Sequence, residues 1–276
     1  MLPNQIPVAP VGMVMSHFYG AILTANIVLA AAVLFWTVRE SIKTQRSLPV
    51  FIMFGAGIAC LLECIFDVNV LVWWAQYGQM PLYRIFNISV PIWMLFAYPW
   101  YTGGMGYWAY RAFKNNMTRS TLWKLYFFGW LSNLFLEIPP LQLGHIYTYY
   151  GDQPLCILGF PLWMAMTNSL MPILTGALLY SLDDVLKGAR SLLILALVPM
   201  AVGSAEIASG WPMWLALNSG DGYRATYFAA LLTLGFSLLI TYLVSLKFCV
   251  APATVISMSA EKFYTSSNEK SPVVRT

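Results

Sequence analysis

A series of long apolar runs constrains the fold of this 276-residue chain more than any other feature. A helix rises 1.5 Å per residue, so about 20 apolar residues cross the roughly 30 Å hydrocarbon core of a bilayer. Hydrophobic residues make up 59% of the chain and charged residues 9%, against about 25% charged in soluble domains. We therefore expect an all-α integral membrane protein with seven transmembrane helices, near residues 12–38, 48–74, 89–110, 121–143, 155–181, 191–217 and 225–248.

Basic residues predict the orientation, because short cytosolic loops collect Lys and Arg. Two basic residues, Arg84 and Arg224, lie on one side of the predicted helices. The other 13 lie on the opposite side: Arg39, Lys43, Arg46, Arg111, Lys114, Arg119, Lys124, Lys187, Arg190, Lys247, Lys262, Lys270 and Arg275. This split predicts a lumenal or outer N-terminus and a cytosolic C-terminus.

The chain is expected to form one transmembrane domain, residues 1–250, followed by a cytosolic tail, residues 251–276. The tail carries Ser, Lys and Pro residues, a composition typical of disorder. A cleaved signal peptide is not expected, since neither a basic segment nor a small-residue cleavage site precedes the first apolar run.

An internal repeat relates helices 2-3 to helices 4-5. Each copy has an intramembrane glutamate, then a Tyr-Gly segment, then a Pro-x-Trp-Met segment. The first copy reads Glu63, YGQMPL (77–82) and PIWM (91–94), and the second reads Glu137, YGDQPL (150–155) and PLWM (161–164). Helices 6-7 suggest a looser third hairpin, in which Glu206 and GWPMWLALNS (210–219) share one helix.

The three glutamates are predicted to share one depth, because each lies some 15 to 17 residues, or roughly 22 to 26 Å, beyond the cytosolic start of its helix. Parallel repeats bring equivalent positions to a common centre, as at the repeat interfaces of transporters. The alternative is that the repeated Glu and Trp residues only tie helices together by hydrogen bonds.

The segment LLECIFD (61–67) adds a second acid, Asp67, one helical turn beyond Glu63. A charged carboxylate at bilayer depth costs about 2.5 to 3.5 kcal/mol, so such residues are candidates for function. We expect these acids to be mostly protonated, since no Lys or Arg lies inside the membrane as a partner, and a neutral carboxyl group can serve as a general acid. Asp67 has no counterpart in the second copy, where the aligned residue is Leu141.

Other polar and aromatic side chains at this depth could complete a site. The polar candidates are Asn133, Asn168, Asn218, Tyr147 and Tyr150. The tryptophans of the Pro-x-Trp segments, Trp93, Trp163 and Trp214, present π-faces that stabilise cations, although an aromatic belt at the membrane surface explains some tryptophans equally well.

No cofactor, metal, nucleic-acid or obligate protein partner is expected. The paired aspartates Asp183 and Asp184 lack a second acidic motif, which argues against metal-assisted loss of pyrophosphate. Helix 7 has no mid-membrane lysine for a retinal Schiff base, and the four cysteines are expected to be buried thiols.

Seven helices with isolated acids in helices 2, 4 and 6, many tryptophans and no cofactor motif resemble the fungal membrane-bound terpene cyclases of meroterpenoid biosynthesis. The segments LGHIYTYYGDQPL (143–155) and GFPLWM (159–164) look most like the group that acts in the ascochlorin and ascofuranone pathways. The resemblance implies a lipophilic substrate with an aromatic head and a farnesyl chain that ends in an epoxide. It also implies an enzyme of secondary metabolism, of the isomerase or lyase type, in the endoplasmic reticulum or a related membrane.

In such a reaction an acid protonates the epoxide oxygen, the C–O bond opens with cationic character, and an internal nucleophile closes a ring. A chain hydroxyl would give a cyclic ether of the ascofuranol type, and an alkene would lead to a cyclohexanone of the ilicicolin C type. We expect Glu63 or Asp67 to donate the proton and Glu137 and Glu206 to hold or accept it. A proton-coupled transporter and a sterol-isomerase-like lipid enzyme remain the alternatives, because both also use buried acids.

Overall fold

The computed structural model describes residues 7–15 and 18–251, most of which are helical. Within these residues the α-helices are α1 (Tyr19–Thr44), α2 (Leu48–Ala59), α3 (Glu63–Val70), α4 (Met94–Tyr98), α5 (Met105–Lys114), α6 (Arg119–Pro139), α7 (Leu162–Ser181), α8 (Ile194–Ser219) and α9 (Tyr223–Phe248). Six short strands accompany them: β1 (Val72–Trp74), β2 (Pro81–Ile85), β3 (Ile88–Pro91), β4 (Tyr147–Tyr149), β5 (Cys156–Ile157) and β6 (Phe160–Pro161). Residues 252–276 of the predicted tail lie outside the described residues.

Irregular helical turns join several of these helices into longer rods. A 3₁₀ turn, Cys60–Leu62, connects α2 to α3, and another, Gly188–Leu193, leads into α8. A π-helical segment, Pro99–Gly104, connects α4 to α5, and a second, Pro140–Gly144, extends α6. Segments of π-helix occur often at functional sites.

Five helical segments of the described chain are long and apolar enough to cross a membrane: Tyr19–Thr44, Leu48–Val70, Leu162–Ser181, Gly188–Ser219 and Tyr223–Phe248. Large apolar side chains cover the outside of the helices, among them Phe35 and Phe135, each 73% exposed. Such a surface suits contact with lipid, so the protein is membrane-embedded and mostly helical. Residues 94–114 and 119–144 are long enough to cross, but their Trp, Tyr, Gly and charged residues lower the hydropathy.

Helix α7 forms the centre of the bundle and packs against α5, α6, α8 and α9. The close approach of α7 to α5 requires a glycine at position 176. A Cβ atom added at Gly176 would lie 2.6 Å from Cβ of Ala109 and 2.7 Å from the backbone N of Tyr110. On the α6 side, a Cβ atom at Gly129 would lie 3.2 Å from Oγ of Ser169.

The strands lie together at one end of the bundle, called the strand end below. Strands β2 and β3 form an antiparallel hairpin, as do β5 and β6. Strand β1 pairs with β4 in antiparallel register, with Trp74 opposite Tyr147. The purely helical prediction omitted these strands, because most of them lie within or at the edges of the apolar runs and the pairing of β1 with β4 joins segments far apart in the sequence.

The strands also correct several predicted helix limits. The predicted helix at 155–181 begins at Leu162 instead, since β5 and β6 occupy its first residues. The predicted helix at 89–110 begins at Met94 and continues to Lys114. The predicted helix at 48–74 ends at Val70, where Leu71 adopts a left-handed conformation with φ 56° and turns the chain into β1.

Both copies of the repeat have the same order of elements: a helix with the glutamate, one strand, a hairpin of two strands, and a helix that starts near the Pro-x-Trp-Met segment. Trp74 lies three residues before Tyr77, as Tyr147 lies three before Tyr150, so equivalent residues face each other where β1 pairs with β4. The third copy differs, because α8 runs unbroken through Glu206 and no strand follows it in the chain described up to residue 251.

A polar cluster joins the helices at the opposite end, called the basic end below. Asp183, in the turn after α7, accepts hydrogen bonds from Arg46 (2.5 Å), Tyr110 (2.6 Å) and Lys114 (2.9 Å). Burial acts to raise the pKa of Asp183, but these three donors outweigh it and the pKa is lowered. Asp183 therefore ties the α1–α2 turn and α5 to the end of α7.

Candidate active site

A cavity of about 310 Å³ lies between α1, α3, α4, α6, α7 and the paired strands β1 and β4. This volume is within the range of small-molecule sites, which run from about 300 to 1,000 Å³. Seven of the residues singled out from the sequence line it: Glu63, Asp67, Trp93, Asn133, Glu137, Tyr147 and Asn168.

The two acids of LLECIFD both reach the cavity from α3, one turn apart. Asp67 is 3% exposed, and its Oδ2 accepts a hydrogen bond from Nε1 of Trp74 at 2.6 Å. Glu63 begins α3, and its Oε2 accepts a hydrogen bond from the hydroxyl of Tyr98 in α4. Each carboxyl group thus has one oxygen held by an aromatic side chain.

The third cavity acid, Glu137, lies near the end of α6. Its Oε2 accepts a hydrogen bond from the hydroxyl of Tyr147 in β4. Pro139 and Pro140 follow at once, and the π-helical segment then leads the chain back to β4. Glu63 is close enough to interact electrostatically with both Glu137 and Glu206.

Aromatic rings form the wall between these acids. The ring of Trp74 contacts that of Trp93 edge-on at a centroid distance of 5.6 Å and that of Tyr147 at 4.8 Å. The ring of Tyr147 contacts that of Tyr149 at 6.0 Å. This arrangement places π-faces beside carboxyl groups, as stabilisation of a cationic intermediate would require.

An amide network lies on another side of the cavity. Nδ2 of Asn133 donates a hydrogen bond to the hydroxyl of Tyr101 at 2.9 Å, and Nδ2 of Asn168 donates to Oδ1 of Asn133 at 3.3 Å. Oδ1 of Asn168 is buried without a hydrogen-bond partner among the described residues. That oxygen remains able to accept a hydrogen bond from a bound molecule.

The other five residues singled out from the sequence do not line the cavity. Glu206 in α8 is fully buried, and neither of its carboxyl oxygens has a hydrogen-bond partner among the described residues. Trp163 is also fully buried, and Trp214 packs behind the cavity against Phe66, with ring centroids 6.3 Å apart.

Tyr150 and Asn218 lie at the strand end. The backbone N–H of Tyr150 donates a hydrogen bond to the carbonyl of Leu71 at 2.9 Å. Nδ2 of Asn218 donates to the carbonyl of Asn69 at 2.9 Å and so ties α8 to α3. The functional roles of all twelve residues singled out from the sequence, those that line the cavity included, stay predictions.

Eight further polar or aromatic lining residues were not singled out as site residues from the sequence: Asn26, Phe66, Trp74, Tyr98, Trp100, Tyr101, Thr102 and Tyr149. Nε1 of Trp100 donates a hydrogen bond to Oδ1 of Asn26 at 2.8 Å, and Asn26 is one of the few buried residues of helix α1. Within the described residues no three His, Cys, Asp or Glu side chains are grouped so that they could hold a metal ion.

Comparisons with protein-family models, with curated proteins and with solved structures found no match to this chain.

Proposed function

We propose that this protein is a membrane-embedded terpene cyclase. It protonates a terminal epoxide on the farnesyl chain of an aromatic meroterpenoid and closes a ring, without a metal or a redox cofactor. The observation that carries the proposal is the cavity itself, in which Glu63, Asp67 and Glu137 each meet an aromatic hydrogen-bond donor beside tryptophan and tyrosine rings.

The chemistry requires a neutral carboxyl group that gives its proton to the epoxide oxygen as the C–O bond breaks. Asp67 is the proposed donor, since its Oδ2 is held by Trp74 in a buried wall of aromatic rings. The carboxylate left on Asp67 takes back the proton lost when the ring closes, either directly or by relay through Glu63 and Glu137. The rings of Trp74 and Trp93 stabilise the cationic carbon between these two steps.

The proposed topology has seven transmembrane helices, with residues 94–114 and 119–144 as the third and fourth. Both run between the basic end and the strand end, as the five more apolar segments do. We propose that the basic end is cytosolic and the strand end lumenal, with the protein in the endoplasmic reticulum or a related membrane. The partners in this proposal are the bilayer and the epoxide substrate.

Packing on the basic side of the cavity favours an enzyme over a proton-coupled transporter. Below the cavity, a Cβ atom added at Gly103 would lie 3.1 Å from Cβ of Ala56, and one added at Gly55 would lie 2.9 Å from Cβ of Val198. A transporter needs access to the acids from both sides, whereas here the helices beneath them are in close contact.

The test is an amide series in membranes that carry the protein. An epoxyfarnesyl aromatic substrate should give an isomeric product of unchanged mass, and Asp67→Asn should lower the rate by about 10²- to 10⁴-fold, the usual contribution of a general acid. Glu63→Gln and Glu137→Gln should lower it less. If all three variants, and Glu206→Gln with them, turn over the substrate at the wild-type rate, acid catalysis in this cavity is wrong.

A further inference from the structure

The cavity reaches the surface of the protein between α1 and α6. Among the described residues that line it, three are exposed: Ala25 and Leu29 on α1 and Leu136 on α6. Leu29 is 43% exposed and Leu136 is 44% exposed. The remaining lining residues are buried or half-buried, so the opening is on this side.

The two helices that flank the opening are held by different neighbours. Helix α1 packs against α2, α4 and the π-helical segment Pro99–Gly104, whereas α6 packs against α7 and α9. The two helices therefore share none of these neighbours, although Asn133 of α6 donates a hydrogen bond to Tyr101 of the π-helical segment.

The opening lies within the hydrocarbon region. Leu29 is 15 residues from the basic end of α1 and Leu136 is 17 residues from that of α6. At 1.5 Å per residue these positions are roughly 22 and 26 Å above the basic end. Glu63, 15 residues beyond Leu48, is at the same level, so the acids and the opening lie inside a hydrocarbon core about 30 Å thick.

The surroundings of the opening are apolar. Next to the lining residues, Val28 on α1 is 59% exposed, and Leu131 and Phe135 on α6 are 47% and 73% exposed. The strand end of the cavity is covered by β1, whose lining residues Val72 and Trp74 are buried, and by β4, whose lining residues Tyr147 and Tyr149 are buried and half-buried. The exposed side of the cavity thus faces acyl chains rather than water.

We propose that the ligand of this cavity enters from the bilayer, sideways between α1 and α6, and that Leu29 and Leu136 line its path. The ligand class is a long lipophilic chain dissolved in the membrane, whose end reaches Asp67 while the rest extends toward the opening. The statement about catalysis at Asp67 rests on the proposed function, but the path itself does not.

Narrowing the opening tests the path. Leu29→Trp and Leu136→Trp add bulk at its rim, while Val28→Trp and Leu131→Trp add the same residue to neighbouring lipid-facing positions that do not line the cavity. With an epoxyfarnesyl substrate supplied in vesicles, kcat/KM should fall about tenfold or more in the rim variants, the scale of an overpacking cost. The control variants should stay within about twofold of the wild type. Equal values in all four variants would overturn the proposal.

A labelling experiment gives a readout that does not depend on turnover. The probe is a farnesyl benzyl ether with a diazirine on the benzyl ring, the end that should lie at the opening, photolysed in membranes that hold the wild-type protein. Saturable labelling is expected in the peptides that contain Leu29 and Leu136, with suppression by excess unlabelled farnesyl benzyl ether. Labelling at the lipid-facing control Leu231, which is 61% exposed, should not be suppressed.

The two readouts separate the two proposals. Suppressible labelling at the opening in a protein that never cyclises an epoxide would refute the proposed function and leave the lateral path intact. Turnover by the wild type, with unchanged kcat/KM in the rim variants and no suppressible labelling at the opening, would refute the path and leave the cyclase intact.

Discussion

Replacing Trp74 by Phe should weaken both the fold and the reaction, because it removes the hydrogen-bond donor that the described residues provide to the proposed catalytic acid. Nε1 of Trp74 donates to Oδ2 of Asp67 at 2.6 Å, and both side chains are buried, with exposed fractions of 4% and 3%. The variant keeps an aromatic ring in β1 but leaves that carboxyl oxygen without its donor.

The expected losses of stability and of kcat in Trp74→Phe follow from the burial of this hydrogen-bonded pair. A buried acceptor that loses its partner costs about 1 to 3 kcal/mol in the free energy of unfolding. If Asp67 must be held in one orientation to reach the epoxide, a loss of the same size in the transition state lowers kcat by about 5- to 150-fold, at about 1.4 kcal/mol for each factor of ten.

Trp93 provides a matched control within the same cavity. Trp93→Phe removes the same atoms from a residue that is 8% exposed, and it disturbs the same ring contact, since the two tryptophans lie 5.6 Å apart. Nε1 of Trp93, however, has no hydrogen-bond partner among the described residues. The difference between the two variants therefore isolates the hydrogen bond to Asp67.

The assay compares wild type, Trp74→Phe and Trp93→Phe in the same detergent or nanodisc, by unfolding midpoint and by kcat and KM on an epoxyfarnesyl substrate. Trp74→Phe should lose more stability than Trp93→Phe and more of kcat, with KM changed to a similar degree in both. Equal losses of stability and of kcat in the two variants would show that volume, rather than the hydrogen bond, accounts for the effect, and would refute the positioning of Asp67 by Trp74.

Three further predictions follow from other contacts. Gly176→Ala should lower the free energy of unfolding by about 1 to 3 kcal/mol through overpacking, while Gly235→Ala in α9, where a Cβ atom would meet nothing within 4 Å, should change it by less than about 0.5 kcal/mol. The lowered pKa of Asp183 stabilises the fold above the ordinary Asp pKa of about 3.9, and this contribution is lost as the pH falls below that value. Unfolding midpoints between neutral pH and about pH 3 should therefore fall less in Asp183→Asn than in the wild type, and parallel curves would contradict this assignment. Tyr147→Phe should lower the free energy of unfolding by about 1 to 3 kcal/mol, because Glu137 loses its hydrogen-bond donor. It should lower kcat less than Trp74→Phe does. A larger loss of kcat would make Glu137 the better candidate for the proton donor.

The sequence predicted much of the site because its repeat and its acids are local features. Glu63, Asp67 and Glu137 were found from isolated carboxyl groups in apolar runs, and all three line one cavity. The position of Glu206 along its helix also predicted its depth. The sequence did not predict which way its side chain points, because α8 is apolar nearly all round and no face is marked as the one toward the cavity.

The donors to these acids depend on long-range pairing, which sequence spacing does not reveal. Trp74 belongs to a strand whose partner, β4, lies more than 70 residues away in the chain. Tyr98 reaches Glu63 only because α4 is packed beside α3. The preference of membrane sequences for tryptophan and tyrosine also hides the few aromatic residues that act in a site among the many that face lipid.

The pairing of β1 with β4 explains why Asp67 stands apart from the other acids. Trp74 and Tyr147 occupy equivalent positions of the two copies and face each other across the strand pair, and Tyr147 donates to the glutamate of its own copy, Glu137. Trp74 donates instead to Asp67, and the glutamate of the first copy takes its hydrogen bond from Tyr98. A symmetrical pair of copies would hold two acids with two donors, whereas this cavity holds three of each. The added acid breaks the symmetry at the aromatic wall, and under the proposed function this difference between two otherwise similar halves would give the epoxide a single proton donor.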